Sequence, residues 1–194
     1  MTGELPYPTI EAFGLILRRV RHADIEMLRQ WRNSEAVSQW LVFRGHITQE
    51  MQETWFSKLK PDQQYYYVVE SNGRKLGLVN IKNVENGSGE GGIFIADESD
   101  QDHGVGLRAM LAMYDFGFLT LGLKEITAHI LSTNKRAVRV NQAIGAVRDP
   151  GQEGEFNPKW RILPDAYWAK TKSLRAYQWS EPARADVGEP PPAE

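Results

Sequence analysis

Gln101-Asp102-His103-Gly104-Val105-Gly106 is the stretch on which the reading of this 194-residue chain turns. Two glycines stand at the mouth of a helical pattern in which Leu107, Met110, Leu111, Tyr114, Phe118 and Leu121 share one face, and Gly122 ends it. Before the loop, the apolar run 93–96 predicts a strand; after the helix, residues 125–131 predict another. Strand, glycine turn, long helix and strand make a βαβ unit centred on Gly104. Glycines at that place leave backbone N–H groups bare, and the positive end of the helix dipole adds to them, so the loop suits a pyrophosphate. No Gly-Lys-Ser/Thr follows, which excludes a P-loop, and the full G-x-G-x-x-G dinucleotide pattern is absent. The plain alternative is that the glycines only turn the chain.

Working outward, residues 15–20 alternate apolar and polar as a half-buried strand does. Asp24 offers an N-cap to a helix carrying Ile25, Leu28 and Trp31 as far as Asn33. Thr48 offers another, to a helix with Met51, Trp55, Phe56 and Leu59 on one face, closed by Pro61. Residues 65–69, the Asn72-Gly73 turn and residues 76–84 spell a hairpin. Residues 86–92 read as a glycine-rich link. Downstream, Thr133 or Asn134 starts a helix with Ala137, Val140 and Ile144 inward and Gly145 at its end, and residues 166–176 predict a last strand. The order is β-α-α-β-β-β-α-β-α-β, a mixed α/β fold. One domain over 14–180 is expected, with an N-terminal extension at 1–13. The Pro-rich tail 181–194 has too few apolar residues to offset its ordering entropy.

Composition narrows the function. A formal net charge of −2, with no basic stripe, predicts no general attraction to nucleic acid or anionic lipid. The most apolar stretch, 105–123, is interrupted by Arg108 and Asp115 and predicts a packed helix rather than a membrane span. The first twelve residues lack the apolar core of a signal peptide, so a cytoplasmic protein is expected. With no cysteine there is no thiol nucleophile, disulfide or thiolate metal site. His22, His46, His103 and His129 show no metal-ligand spacing, so no metal is expected.

The loop 101–106 resembles the Gln/Arg-x-x-Gly-x-Gly/Ala pyrophosphate loop of the GNAT superfamily of N-acetyltransferases. Asn134-Lys135-Arg136-Ala137, running on to Ile144-Gly145, is similar to the Asn-x-x-Ala…Leu-Gly helix that flanks the coenzyme A pantetheine arm in that family. The element order matches from Leu15 to about Ala176. The resemblance implies a twisted mixed sheet flanked by about four helices, with acyl-CoA in the splay between central strands. It also implies direct acetyl transfer from acetyl-CoA to a primary amine, and a strand-exchanged or side-by-side homodimer is common in such folds. Trp31-Arg32-Asn33, His46-Ile47-Thr48 and Trp55-Phe56 resemble the ribosomal-protein and amino-sugar branch, most closely enzymes that acetylate nucleotide-linked 4-amino sugars.

Residue by residue, the resemblance puts the acetyl-CoA contacts on Gln101, Asp102, His103, Gly104, Val105, Gly106, Leu107 and Asn134, and on the backbone of Phe94, Ile95 and Ala96. Two bases compete. His129 stands where several relatives carry a catalytic glutamate, and an imidazole exchanges protons near neutral pH. Glu90 stands where many place a water-holding glutamate. The bland readings are a hydrogen-bonded core histidine and a solvated loop carboxylate. Asn141 occupies the position of the family's tyrosine acid, and an amide can donate a hydrogen bond to sulfur but not a proton; alternatively it is an exposed helix residue. Arg32, Arg44 and His46 fall where the family walls the acceptor pocket, and Arg44 would suit an acceptor phosphate, although a surface arginine is the commoner case. An acidic loop from Asp149, Glu153 and Glu155 would instead favour a cationic acceptor. The amino-sugar nucleotide therefore competes with a protein α-amine, with a polyamine, and with a catalytically silent acyl-CoA-binding module.

Overall fold

A computed structural model describes residues 7–101 and 104–176. Its elements, in chain order, begin with β1 (Thr9–Ala12), β2 (Leu15–Arg19), a single 3-10 turn, α1 (Ile25–Asn33), α2 (Glu35–Ser38) and α3 (Gln49–Ser57). Then come β3 (Tyr65–Ser71), β4 (Arg74–Glu85), β5 (Ser88–Ile95), α4 (Glu98–Gln101) and α5 (Val105–Asp115), which runs into a π-helical turn at Phe116–Thr120. β6 (Glu125–His129), α6 (Lys135–Ala143), β7 (Val147–Arg148), β8 (Lys159–Ile162) and α7 (Pro164–Ala176) complete the described chain. The strands form one sheet in the order β1-β2-β3-β4-β5-β6-β8-β7. Every pairing is antiparallel except β5 with β6, which the α5 crossover makes parallel. The mixed α/β expectation holds.

Local chemistry explains the elements. Asn72 and Gly73 take φ of 49° and 73°, the doubly left-handed conformation that closes a tight hairpin, and β3 pairs with β4 on either side. The Thr48 hydroxyl caps α3 by accepting from the Met51 N–H at 3.2 Å. Asp24 does not cap α1 with its side chain. Its carboxylate accepts instead from Arg18, from Lys75 and from the Arg21 N–H. One face of the sheet packs on α5 and α7 through Leu111, Met113, Ile126 and Tyr167, all essentially inaccessible. The opposite face carries a smaller cluster, Val20, Leu28, Val68 and Leu78, with Trp31, Trp55 and Phe56 of α1 and α3 against it. Among the described residues no helix is long and apolar enough to cross a membrane.

Three expectations are corrected. Residues 166–176 are helix, not strand. Pro164 has its φ pre-set for a first helical turn, and Tyr167, Thr171 and Arg175 fall at helical spacing. The Tyr167 hydroxyl donates to Asp115 at 2.7 Å and the Arg175 guanidinium to the same carboxylate at 2.8 Å. The glycine-rich link is strand: β5 begins at Ser88, because Ile81 and Tyr114 fill the space where side chains at Gly89 and Gly91 would stand. Finally, β1 lies inside the segment 1–13 set aside as an extension, and it pairs with β2 from Thr9 to Ala12. The expected tail, 181–194, lies outside the described residues, as do Asp102 and His103.

Candidate functional site

The sheet opens where β5 leaves β6. These strands share three register pairs only, Ser88 with Glu125, Gly89 with Ile126 and Glu90 with Thr127. Beyond them β5 follows β4 to Ile95, while β6 follows β8 to His129. A cavity of about 520 Å³ occupies the wedge. Gly91 to Ile95 form one wall and Ala128 to Leu131 the other. Gly104, Gly106 and Leu107 stand at the α5 end, and Val37, Trp40 and Leu41 close the side toward α2.

Strand alternation decides which amides face the wedge. The Ala96 N–H donates to the Leu76 carbonyl at 2.9 Å, so Ala96 and, two residues back, Phe94 and Gly92 spend their backbone groups on β4. Gly91, Ile93 and Ile95 turn theirs toward β6. Of the three residues expected to offer backbone donors, Ile95 alone has the right direction, and Ala96 is corrected by its bond to Leu76. The glycine loop is built as a cradle. Gly104 is left-handed at φ 69°, and a Cβ on Gly106 would meet nothing nearer than Ile95 at 3.8 Å. Lys135 and Arg136, both exposed, line the cavity at the start of α6, whose cap is the Asn134 side chain accepting from Ala137 N–H at 3.0 Å.

The expected residues divide. His129, Asn141, Phe94, Ile95, Gly104, Gly106, Leu107 and Asn134 line the cavity. Val105 is buried beneath the loop, and Gln101 closes α4. Glu90 does not line the cavity: it is bound to Lys82 at 3.0 Å and accepts from Asn83 at 3.2 Å. Arg32, Arg44 and His46 stand outside it too. Burial lowers the Arg32 pKa, Arg44 is exposed with Nε on the Leu41 carbonyl at 3.3 Å, and His46 is exposed. Asn141 is not an exposed helix residue. It is buried, with Nδ2 donating to the Ala137 carbonyl at 2.9 Å and Oδ1 meeting no partner among the described residues.

His129 is exposed at the end of β6, with Nδ1 3.3 Å from the Asn157 carbonyl. A carbonyl only accepts, so the proton of neutral imidazole sits on Nδ1 and Nε2 keeps its lone pair. The segment 149–158 folds over this wall through bonds from Ile130 N–H to Pro158, Ser132 N–H to Phe156 and Ser132 Oγ to Glu155. In it Asp149 is tied to Arg161 at 3.1 Å, whereas Glu153 and Glu155 are exposed. Glu98 lines the cavity from α4. Trp40, a candidate for stacking on an acceptor base or sugar together with Trp31 and Trp55, lines the cavity, while those two do not. Tyr114, Gly91 and Glu98 carry no signal in the sequence beyond, for Tyr114, membership of the apolar face of a helix.

An open mixed sheet, a helix opened by two glycines and a slot between parting parallel strands define the class of fold and site. The family model described as acetyltransferase (GNAT) domain matches residues 14–147, and the chain belongs to that family of acetyltransferases. Spermidine N(1)-acetyltransferase of Escherichia coli (strain K12) is 24% identical over 137 residues, covering 69% of this chain and 73% of the relative. Among solved structures, Mycobacterium smegmatis RimJ in complex with CoA-disulfide superposes with a TM-score of 0.69 at 17% identity, covering 86% of this chain and 93% of its own. Vibrio cholerae spermidine N-acetyltransferase in complex with CoA and spermine gives 0.67 at 22% identity, covering 79% and 98%. An aminoglycoside acetyltransferase in complex with coenzyme A gives 0.68 at 20% identity, covering 81% and 99%. Acetyl-CoA is thus the co-substrate of this enzyme class.

Proposed function

We propose that this enzyme moves acetyl from acetyl-CoA directly to a primary amine of a small cationic acceptor, a polyamine or an amine-bearing sugar. The distribution of charge around the cavity carries the reading. Arg32 and Arg44, which would recognise a phosphorylated acceptor, stand outside the cavity, while Glu98 lines it and Glu153 and Glu155 are exposed on the segment that covers its β6 wall. Exposed carboxylates beside the acceptor side of a cleft attract a cation. Relatives that act on spermidine and on aminoglycosides support the same class. The nucleotide-linked amino sugar is the second reading, favoured by Trp40, which lies in the turn after α2 and lines the cavity.

In the leading reading the pyrophosphate rests on the loop at Gly104 and Gly106 with Lys135 and Arg136 beside it, and pantetheine runs along β5 on the Ile93 and Ile95 amides. Nε2 of His129, held by the Asn157 carbonyl, accepts the proton of the attacking amine directly or through water. Thiol release from acetyl-CoA against spermidine, an aminoglycoside, a nucleotide-linked 4-amino sugar and an N-terminal peptide tests the assignment, with calorimetric acetyl-CoA binding in parallel. Release with the polycations and not with the nucleotide sugar is expected, in a cytoplasmic setting. Release with the nucleotide sugar alone would reverse the two readings. Tight binding without release from any amine would leave an acyl-CoA-binding module.

A further inference from the structure

We propose that Tyr114, on α5, donates a hydrogen bond to the thioester carbonyl oxygen of the acyl donor and holds the oxyanion that forms there. The inference rests on the acetyl-CoA reading above. Tyr114 is 2% exposed, yet its side chain lines the cavity. The phenol lies against β5 at Gly91, where a Cβ would come within 2.8 Å of Cε1 and 2.9 Å of Cζ. Gly91 is the first β5 residue past the last pair with β6, so the hydroxyl sits at the closed end of the wedge. Among the described residues it has no hydrogen-bond partner; the ring meets Tyr167 at 6.3 Å, and burial alone accounts for its electrostatic setting. A hydroxyl that reaches the cavity and spends its proton on no neighbour is placed to donate to a ligand lodged there.

The neighbouring side-chain donors are already engaged, while the Ile93 backbone N–H also faces the wedge. Asn141 Nδ2 is on the Ala137 carbonyl and His129 Nδ1 on the Asn157 carbonyl. Burial pushes the Tyr114 hydroxyl well above the ordinary phenol range, so it stays protonated and acts as a donor rather than as an acid. The amine nitrogen bonds to the carbonyl carbon, and the C=O electron pair moves onto oxygen, where the phenol hydrogen bond strengthens as charge develops. The pair then returns, the C–S bond breaks and coenzyme A leaves as thiolate. The amine proton passes to the base and Tyr114 keeps its own. This supplies a phenol from α5 where α6 presents Asn141.

Tyr114→Phe removes the oxygen and keeps the ring. Turnover is expected to fall about a hundredfold, the usual cost of one oxyanion donor, with the acetyl-CoA KM within about twofold. The second readout is the 13C resonance of the carbonyl of bound [1-13C]acetyl-CoA, displaced downfield in the wild type and returning toward the free value in Tyr114→Phe. It needs no acceptor, so it reports even when the right amine is missing from the panel. An unchanged resonance and unchanged turnover, in a variant that binds acetyl-CoA and melts normally, would overturn the assignment and leave the acetyl-CoA reading standing. Failure of the wild type to bind acetyl-CoA would overturn both.

Discussion

At the scale of single residues, the proposed chemistry rests on a few polar atoms that have no partner among the described residues. His129 Nε2 is one, because Nδ1 is spent on Asn157. His129→Ala should lower turnover about a hundredfold or more while calorimetric acetyl-CoA affinity stays within about twofold; wild-type turnover in that variant at neutral pH would remove it as the base. Asp24 shows the opposite arrangement. Burial alone would raise its pKa, but donors from Arg18, the Arg21 N–H and Lys75 outweigh it and bring the carboxyl from 3.8 to about 2. The contribution, about 2 kcal/mol, is complete above about pH 4 and is lost as pH falls through about 2. Urea midpoints for wild type should therefore decline over that window, and Asp24→Asn should be weaker at pH 6 with a flatter decline. Much of the site was legible at this scale: Gly104, Gly106, Asn134 and His129 all line the cavity. Glu90 and Arg44 do not line the cavity, because a spacing says nothing of partners, and Lys82 and the Leu41 carbonyl hold them elsewhere.

At the scale of elements, α7 hangs on one carboxylate. Asp115 accepts from Tyr167 and from both ends of the Arg175 guanidinium, and Arg175 also stacks over Trp168 at 4.8 Å. Asp115→Ala takes from the buried Tyr167 phenol its shorter acceptor, leaving the Leu111 carbonyl at 3.1 Å, and takes from the partly buried Arg175 its carboxylate, leaving Thr171 and Tyr167 as neutral partners, so a loss of about 2–4 kcal/mol is expected by chemical denaturation. Gly145→Ala should cost a comparable amount. Its φ is 97°, and a Cβ would lie 2.9 Å from the Ala166 backbone at the start of α7. These contacts explain why α7 was hidden. Ala166-Tyr167-Trp168-Ala169 carries strand-favouring aromatics, and the helix is decided by Asp115, some fifty residues away. The hairpin at Asn72-Gly73 needed no distant partner and was plain. β5 was shortened in the reading because glycine is depleted in strands, while here it makes room for Tyr114 and Ile81.

At the scale of the molecule, a cationic acceptor drawn by Glu98 in the cavity and by the exposed Glu153 and Glu155 of the neighbouring segment 149–158 should be held largely by charge. Its KM is expected to rise between 50 and ~300 mM salt as screening shortens toward a few ångströms, with much less change in kcat; a salt-independent KM would argue against charge recognition. The other global feature is the brevity of the contact between β5 and β6. Five strands lie on one side of it and three on the other, and three residue pairs plus the α5 crossover hold them together. That makes the join the compliant line of the sheet. A ligand lodged in the wedge would act as a rivet across it, so acetyl-CoA should slow amide hydrogen exchange at Glu125, Ile126 and Thr127 more than anywhere in the β1–β4 half, stiffening the molecule along one line rather than throughout.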